Sequence, residues 1–436
     1  MNRHALYRPL LERTLENHQV QHLARRYDFG KESRIAALIV AEVNRRMDEV
    51  ENHLGVQRAQ LFDLCLYLRG QPVTLPLFRP EYLQPLLTGG TFTQARALVI
   101  KACAERLQAV SERVEPEELL GFINPWALAR RKGPTRYVDS LQNAVQPLDE
   151  QDTAFWRWEL DQLRPQSPTA RLGALDLAAP QTVRRGLVEF VTVEAGLGPA
   201  VAQQLVEEMI TLRNLCSPLI RQLKHGEMPV LATHVHASLS EESATRFRRL
   251  APVVLTVWTA EELRQQPQSV PECLAQLKRR MVRVCFEAYR QNGLLNQMDL
   301  QWIFQISTAR ISELLRSFQR EHNIVVPTPG TVLDAGRSTT HKDIIVNLHL
   351  QGHTVKEIAR ITYHAPRSVD NYIRTFQGVL ILKLYGVPPR LMARLLQKSP
   401  YLVEEHLDLV RRFYPNEDQL RQNLREQGVN FLSIIS

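Results

Sequence analysis

A 25-residue pattern near the end of this 436-residue chain occurs twice, 34 residues apart, and constrains what the region can fold into. The stretch from Gly352 to Phe376 aligns with the stretch from Gly386 to Val410 without a gap. Five positions are identical, namely Gly352, Ala359, Arg360, Pro366 and Val369 in the first copy and Gly386, Ala393, Arg394, Pro400 and Val403 in the second. A short helix, a tight turn and a second helix at this spacing are typical of the helix-turn-helix unit, whose second helix enters the major groove of DNA.

The second helix of the first copy has the residue types that this role requires. Val369, Ile373 and Phe376 repeat at helical spacing and predict a buried stripe. The opposite face carries side chains that can donate hydrogen bonds to phosphates and base edges: Arg367, Ser368, Asn371 and Arg374. These four residues are therefore candidate DNA contacts.

A looser copy of the pattern runs from Asp299 to Phe318. Its apolar residues predict a core, and four polar residues left outside are further candidate DNA contacts: Thr308, Arg310, Ser312 and Arg316. The segment 323–333 predicts a small β-hairpin, which after such a unit would form the wing of a winged helix. Lys342 follows a predicted helix cap at Thr340 and is a candidate phosphate clamp.

Charge distinguishes DNA binding from the alternative of ordinary antiparallel helix pairs in an all-α domain. Residues 301–400 contain 13 Lys/Arg and 6 Asp/Glu, so +7 of the chain's net charge of +8 lies in this window. A basic region with repeated helix-turn-helix units is the electrostatic pattern expected of a nucleic-acid binder. The last copy differs, because its second helix carries Glu404, Glu405 and Asp408, which phosphates repel. We expect the first two units to contact DNA, and the third to pack against the protein or a partner.

The sequence as a whole predicts a mainly α-helical fold with a small α/β segment. Residues 1–120 have helical periodicity, whereas 228–239 and 250–258 are rich in β-branched residues and resemble strands. The predicted organisation is a helical N-terminal domain (1–120), a connector or variable insertion (121–180), a small α/β domain for dimerisation or sensing (181–265), a winged helix-turn-helix (275–335), a second helix-turn-helix (340–376), a third similar unit (377–415) and a C-terminal tail (416–436).

Enzymatic and metal-binding interpretations have little support in the sequence. His234 and His236 would share one face of a strand, but no recognisable set of further ligands accompanies them, so we expect no metal and no cofactor. No local catalytic signature occurs, although a divergent nuclease or transposase activity in the N-terminal part stays open. Five scattered cysteines without C-x-x-C spacing indicate reduced thiols. The sequence also has no apolar run of about 18 residues. Together with the cysteines, this predicts a cytoplasmic protein without a membrane span.

The chain resembles the prokaryotic family named domain of unknown function sixteen-seventy. The resemblance rests on the segments Ala251–Thr256, Gly293–Leu300 and Thr340–Ile345, and it continues from Gly352 to Ile373. The resemblance covers residues from about 225 to 412 well, and it does not extend to 115–180. The resemblance implies a cytoplasmic, regulatory DNA-binding protein, with no activity or ligand assigned to the family.

These observations predict a sequence-specific binder of double-stranded DNA that acts as a transcriptional regulator, with a possible homodimer. The alternative is a DNA-targeting or architectural subunit of a mobile-element or defence system, in which the acidic third unit would bind a protein partner. Both hypotheses place the DNA contacts in the C-terminal region.

Overall fold

The computed structural model describes residues 3–27, 29, 34–68, 71–109, 181–237, 249–259, 261–262, 269–322, 324–333 and 340–426. The chain forms two compact units, of which unit 1 comprises 1–317 with 326–335, and unit 2 comprises 318–325 with 336–436. The mainly α-helical fold that the sequence predicts is confirmed. The predicted connector at 121–180 lies outside the described residues, and the boundary expected between 265 and 275 falls within unit 1.

Unit 1 contains helices at both of its ends and two small antiparallel sheets. Its helices are α1 (Arg3–Leu11), α2 (Leu15–Arg26), α3 (Arg34–His53), α4 (Gln84–Leu87), α5 (Phe92–Gln108), α6 (Gln181–Ala195), α7 (Pro199–Cys216), α8 (Val270–Arg290), α9 (Gln297–Phe304), α10 (Thr308–His322, whose last five residues belong to unit 2) and α11 (Pro329–Val332). Its strands are β1 (Asp63–Leu68), β2 (Gln71–Pro76), β3 (Glu227–His234), β4 (Leu250–Thr256) and β5 (Gly293–Leu294).

Four helices of unit 1 bury a common apolar core. The core residues of α2, α3, α6 and α7 include Leu23, Ala36, Ile39, Val40, Val43, Met47, Leu187, Val191, Leu205, Val206 and Met209. The helical spacing of Ile39, Val43 and Met47 predicts this stripe, and these residues are buried. Ile35 and Leu38 of the same helix are exposed.

A β-hairpin corrects the expectation that residues 1–120 are almost wholly helical. Strands β1 and β2 pair antiparallel, from Asp63 opposite Pro76 to Leu68 opposite Gln71. The run Asp-Leu-Cys-Leu-Tyr-Leu is a short apolar segment, whose periodicity does not separate a strand from a buried helix. The second sheet has the order β4-β3-β5, so both segments predicted to be strands contain one, although β3 ends at His234, before the predicted end at 239.

Helix α8 packs on β4 and uses its arginines inside unit 1. Arg280 is buried, lies over the ring of Trp258 and donates from Nε to the carbonyl oxygen of Val257 at 2.8 Å. Arg283 is also buried, and it donates to the carbonyl oxygen of Thr256 at 3.0 Å and to the carboxylate of Glu262. The basic character of this helix therefore serves packing against the sheet.

A buried ion pair joins the start of the chain to helix α9. The guanidinium of Arg13 contacts the carboxylate of Asp299 and also donates to the hydroxyl of Thr233 on β3 at 3.1 Å. Both charged side chains are almost fully buried. The second oxygen of Asp299 accepts from the backbone N–H of Asn296, which closes the cap of α9. Asp299 thus accepts hydrogen bonds both from the cap of its own helix and from the distant Arg13.

Unit 2 is built from two helical cores that share one long helix. Its helices are α12 (Thr340–Leu350), α13 (Val355–Thr362), α14 (Pro366–Leu384), α15 (Pro389–Leu395), α16 (Pro400–Phe413) and α17 (Glu417–Glu426). The first core contains Val325, Ile344, Ile345, Leu348, Ile358, Ala359, Ile361, Val369 and Ile373. The second core contains Val346, Phe376, Val379, Leu380, Leu384, Met392, Ala393, Val403, Leu407, Leu409, Val410, Tyr414 and Leu420. Helix α14 supplies residues to both cores.

Gly378 of α14 lies against the turn that follows α15. A Cβ on Gly378 would lie 2.7 Å from the side chain of Leu396. Because this contact is with the end of a flexible side chain, a larger residue at 378 would require Leu396 to change its rotamer.

The wing that the sequence predicted at 323–333 is wrong. Residues 324–328 form no strand, and Pro329–Val332 form one helical turn, α11. Pro327 and Pro329 lack the N–H that a strand ladder needs. The hydroxyl of Thr331 accepts from the backbone N–H of Thr328 at 2.7 Å, which favours the start of a helix instead.

None of the described helices combines the length and the apolar character that crossing a bilayer requires. All five cysteines are buried and unpaired, as their spacing predicted.

Replacing Arg13 with Met should destabilise unit 1, because the Asp299 carboxylate would stay buried without its countercharge. Breaking such a buried pair costs roughly 3–5 kcal/mol. Trp258 and Trp302 are buried in unit 1, and the sequence of unit 2 contains no tryptophan, so tryptophan fluorescence during urea unfolding measures the change in unit 1. The double variant Arg13→Met with Asp299→Asn should lose less than the single variant. Equal losses in both variants would contradict the assigned role of the pair.

Candidate nucleic-acid interface

Three helix pairs share the same turn. The pairs are α9–α10, α13–α14 and α15–α16, called here the first, second and third pair. The residue at the turn has left-handed backbone geometry in each, with φ of 53° at Gln305, 59° at Tyr363 and 53° at Gln397. Residues other than glycine adopt this geometry rarely, so the coincidence shows one turn built three times.

The two aligned glycines of the sequence repeat have the same function in the structure. Gly352 ends α12 with φ of +89°, and Gly386 ends α14 with φ of +65°. The next residue closes the same hydrogen bond in both copies, from His353 N to Leu348 O at 3.1 Å and from Val387 N to Leu382 O at 3.0 Å. The 34-residue repeat is therefore structural.

Helix α14 presents the four polar residues expected of a recognition helix on its exposed side. Arg367, Ser368, Asn371 and Arg374 are exposed, whereas Val369, Ile373 and Phe376 are buried in the two cores. The side chain of Arg374 is 76% exposed and forms only a surface pair with Asp370, Nε to Oδ2 at 2.9 Å. Such exposed pairs are weak, so a phosphate can replace Asp370 as the partner of Arg374.

Lys398 adds a positive charge to this face, and the sequence did not reveal it. Its Nζ donates to Oδ1 of Asn371 at 2.9 Å, although the two residues lie 27 positions apart. No local spacing signals this contact, because Lys398 precedes α16 and belongs to the third pair. The face of α14 with Lys398 is called here the α14 face: Arg367, Ser368, Asn371, Arg374 and Lys398.

The candidate residues of the first pair are less available. The guanidinium of Arg310 pairs with Glu313 on the same helix, and the hydroxyl of Ser312 donates to the carbonyl oxygen of Thr308 at 3.0 Å. Thr308 is half-buried, and Arg316 is exposed. These four residues lie in unit 1, whereas the α14 face lies in unit 2. Among the four candidate residues of the first pair, only Arg316 is both charged and exposed.

Lys342 is held within unit 2 by an ion pair. Its Nζ lies 2.5 Å from Oε2 of Glu405, and both side chains are mostly buried. This geometry differs from the free phosphate clamp that the sequence suggested. In the third pair, Glu405 therefore faces α12 rather than solvent.

The exposed acids of the third pair are paired as well. Arg411 donates to Asp408 at 2.6 Å and to Glu404 at 3.1 Å, and both carboxylates are at least half exposed. At the positions equivalent to Arg367, Asn371 and Arg374, helix α16 carries Tyr401, Glu405 and Asp408. The third pair thus repeats the backbone of the second with a different surface.

The two histidines considered as metal ligands are not on one strand face. His234 ends β3, and His236 lies in the following turn, where its N–H donates to Nδ1 of His234 at 3.0 Å. Within the described part of the chain, no three His, Cys, Asp or Glu side chains form a group that could hold a metal ion.

Together these features define a mainly α-helical protein in which one type of helix pair occurs three times among the described residues. Residues 194–409, roughly half of the chain, match the family described as protein of unknown function (DUF1670). This match confirms the resemblance seen in the sequence. No curated protein and no solved structure matches the chain significantly.

A buried histidine beside the Lys342–Glu405 pair should make unit 2 sensitive to acid. The side chain of His406 is fully buried, and its two ring nitrogens have no hydrogen-bond partner among the described residues. Burial, with a smaller contribution from the charge of Lys342, lowers the pKa of His406 to about 4. The unfolded chain takes up this proton near pH 6.5, so stability falls as the pH drops from about 6.5 towards 4.

Replacing His406 with Leu should remove this contribution, which amounts to about 2 kcal/mol between pH 7.5 and pH 5. Helical circular dichroism during denaturation at pH 7.5 and pH 5 follows the helices of both units, while tryptophan fluorescence follows unit 1 alone, so a change in the first signal without a matching change in the second belongs to unit 2. The variant should lose less helical stability at pH 5 than the parent chain. An identical loss in the two proteins would show that His406 does not carry the effect.

Proposed function

We propose that the protein binds double-stranded DNA in a sequence-specific way, through the α14 face of unit 2. The observation that carries the proposal is the division of α14 into two sides. Val369 and Ile373 hold one side in the core, and a row of arginine, serine and asparagine occupies the exposed side. An exposed helix of this kind fits the major groove, where Arg and Asn side chains recognise guanine and adenine.

The distribution of charge in unit 2 supports the same face. Residues 340–398 contain 9 Lys/Arg and 3 Asp/Glu, whereas 399–426 contain 4 Lys/Arg and 6 Asp/Glu. Phosphates attract the first segment and repel the second. The α14 face belongs to the basic segment, and Lys356 and Arg360 of α13 are exposed in the same segment.

Comparison of the three pairs favours α14 over the helices at equivalent positions. In α10, Ala309 and Glu313 stand where α14 has Arg367 and Asn371. In α16, Tyr401 and Asp408 replace Arg367 and Arg374. The proposal therefore assigns base recognition to the second pair, and Arg316 of the first pair to a phosphate contact.

In this proposal the protein is a transcriptional regulator of the prokaryotic cytoplasm. Unit 1, which contains the four-helix core and the two sheets, carries the regulatory input. Duplex recognition requires no chemical step, so the proposed activity is binding rather than catalysis.

Alanine substitution on the α14 face should separate base recognition from general attraction. A binding site is first selected from a random duplex library with the full chain. Arg367→Ala should then cost about 1–3 kcal/mol of discrimination between the selected and a scrambled duplex. Arg374→Ala should lower the slope of log affinity against log salt by about 0.9. Fluorescence anisotropy of labelled duplexes measures both quantities.

Arg411→Ala is the matched control, because it removes the same charge from an exposed position of the third pair. It should leave discrimination and salt slope nearly unchanged. Equal losses from Arg367→Ala and Arg411→Ala would mean that only net charge matters. Full retention of duplex binding in the double variant of Arg367 and Arg374 would contradict the proposal.

A further inference from the structure

Unit 1 contains a cavity of about 450 Å³. Its lining residues come from the α1–α2 turn, the second half of α3, the segments that flank the β1–β2 hairpin and the end of α7. Small-molecule sites in proteins measure roughly 300–1,000 Å³, so this cavity can hold a small ligand. All of its lining residues belong to unit 1, and none of them is a candidate DNA contact.

Glu51 of α3 fixes one wall of the cavity. Its carboxylate accepts from Nε and Nη2 of Arg58 at 2.8 and 2.7 Å, and from Nη2 of Arg213 at 2.7 Å. Arg58 also donates to the carbonyl oxygen of Ser217 at 2.5 Å. The three charged side chains are nearly buried. Charge-assisted bonds of this kind are strong and directional, so this wall keeps its shape without a ligand.

Apolar side chains make up another part of the lining: Leu10, Leu15, Phe62 and Phe78. The rings of Phe62 and Phe78 pack edge to face, with 5.3 Å between their centroids. The backbone of Phe62 has a left-handed φ of 65°. Bulky residues rarely adopt this geometry, and such positions concentrate at functional sites. The cavity thus offers contact to the apolar part of a ligand.

The charges of the lining leave one carboxylate unpaired. Each arginine of the lining is neutralised by a carboxylate, in the pairs Arg13–Asp299, Arg58–Glu51, Arg79–Asp63 and Arg213–Asp48. Glu16 also lines the cavity, is exposed and forms no ion pair with any described residue. Burial, with a smaller contribution from the charge of Glu16, raises the pKa of the Cys216 thiol to about 12. The carboxylate of Glu16 therefore lies near this buried wall residue.

Asp48 adds a second available carboxylate. Its Oδ1 accepts from Nη2 of Arg213 at 2.6 Å, while the side chain is 59% exposed. A cation can therefore approach Asp48 and Glu16 without breaking an existing pair. An anionic ligand would have to displace a carboxylate from one of the arginines, and separating a buried ion pair is strongly unfavourable.

We propose that this cavity binds a small organic amine. Its ammonium group pairs with Glu16 and Asp48, and its apolar body lies against Leu15, Phe62 and Phe78. An ammonium group carries three N–H donors and no acceptor, which suits carboxylates that have unused oxygens. The inference goes beyond the proposed function and does not depend on DNA binding, because ligand binding is measured on the protein alone.

Three probes with the same apolar body and different charge test the inference: 2-phenylethylamine, 2-phenylethanol and 3-phenylpropionate. Each is titrated into the full chain, and binding is followed by ligand-observed NMR. The amine should bind with a dissociation constant on the order of 1 mM, as a fragment of this size allows. The alcohol should bind at least about fivefold more weakly, because it lacks the ion pair. The propionate should bind most weakly of the three.

Variants of the lining show whether the probes occupy this cavity. Glu16→Gln should weaken amine binding about fivefold and leave alcohol binding unchanged, since only the charge is removed. Val56→Phe adds a ring to the cavity wall and should weaken the amine and the alcohol alike. Glu194→Gln is the matched control, because Glu194 is an exposed carboxylate on α6 outside the lining, and it should bind the amine like the parent chain.

Tryptophan fluorescence during urea unfolding checks that unit 1 is folded in each variant. Absence of saturable amine binding up to about 20 mM would overturn the proposal. So would an alcohol or a propionate that binds as tightly as the amine. Equal losses of amine binding in Glu16→Gln and Glu194→Gln, or none in Val56→Phe, would place the amine outside this cavity and also overturn it.

Discussion

The sharing of helix α14 between two cores is the constraint on which unit 2 depends. Its first half is held by Val369 and Ile373 among residues of α12 and α13, and its second half by Phe376 and the residues after it. A helix fixed by two cores has little freedom to rotate about its axis, so the exposed side of α14 is set by packing. That rigidity is what a base-reading helix requires, because recognition depends on side chains held in one orientation.

The three helix pairs show how one backbone can carry different surfaces. The left-handed residue at the turn and the buried position after it, as in Ile311, Val369 and Val403, are kept in all three. The exposed positions change from a self-paired arginine in α10, through a basic face in α14, to an apolar and charged face in α16. The proposed DNA contact therefore depends on the exposed residues of a repeated scaffold and not on its backbone.

Features that depend on residues close together in the chain could be predicted from the sequence. The spacing of Gly352 and Gly386 gave the repeat, and the apolar stripe of α14 gave its exposed face. What could not be predicted depended on partners far along the chain. The pairing of Lys342 with Glu405, 63 residues away, and the burial of Arg280 against Trp258 have no local signal. The sequence did not predict the hairpin of β1 and β2, and it predicted a wing that does not form, because short apolar runs fit more than one secondary structure.

Hydrogen–deuterium exchange of the full chain, with and without a selected duplex, tests the central claim most directly. If the α14 face binds DNA, peptides covering 366–376 should become protected, because DNA contact restrains the first turns of α14. Peptides covering 400–410, the same positions of the third pair, should exchange at an unchanged rate. Protection of 400–410, or of 308–316, without protection of 366–376 would contradict the account.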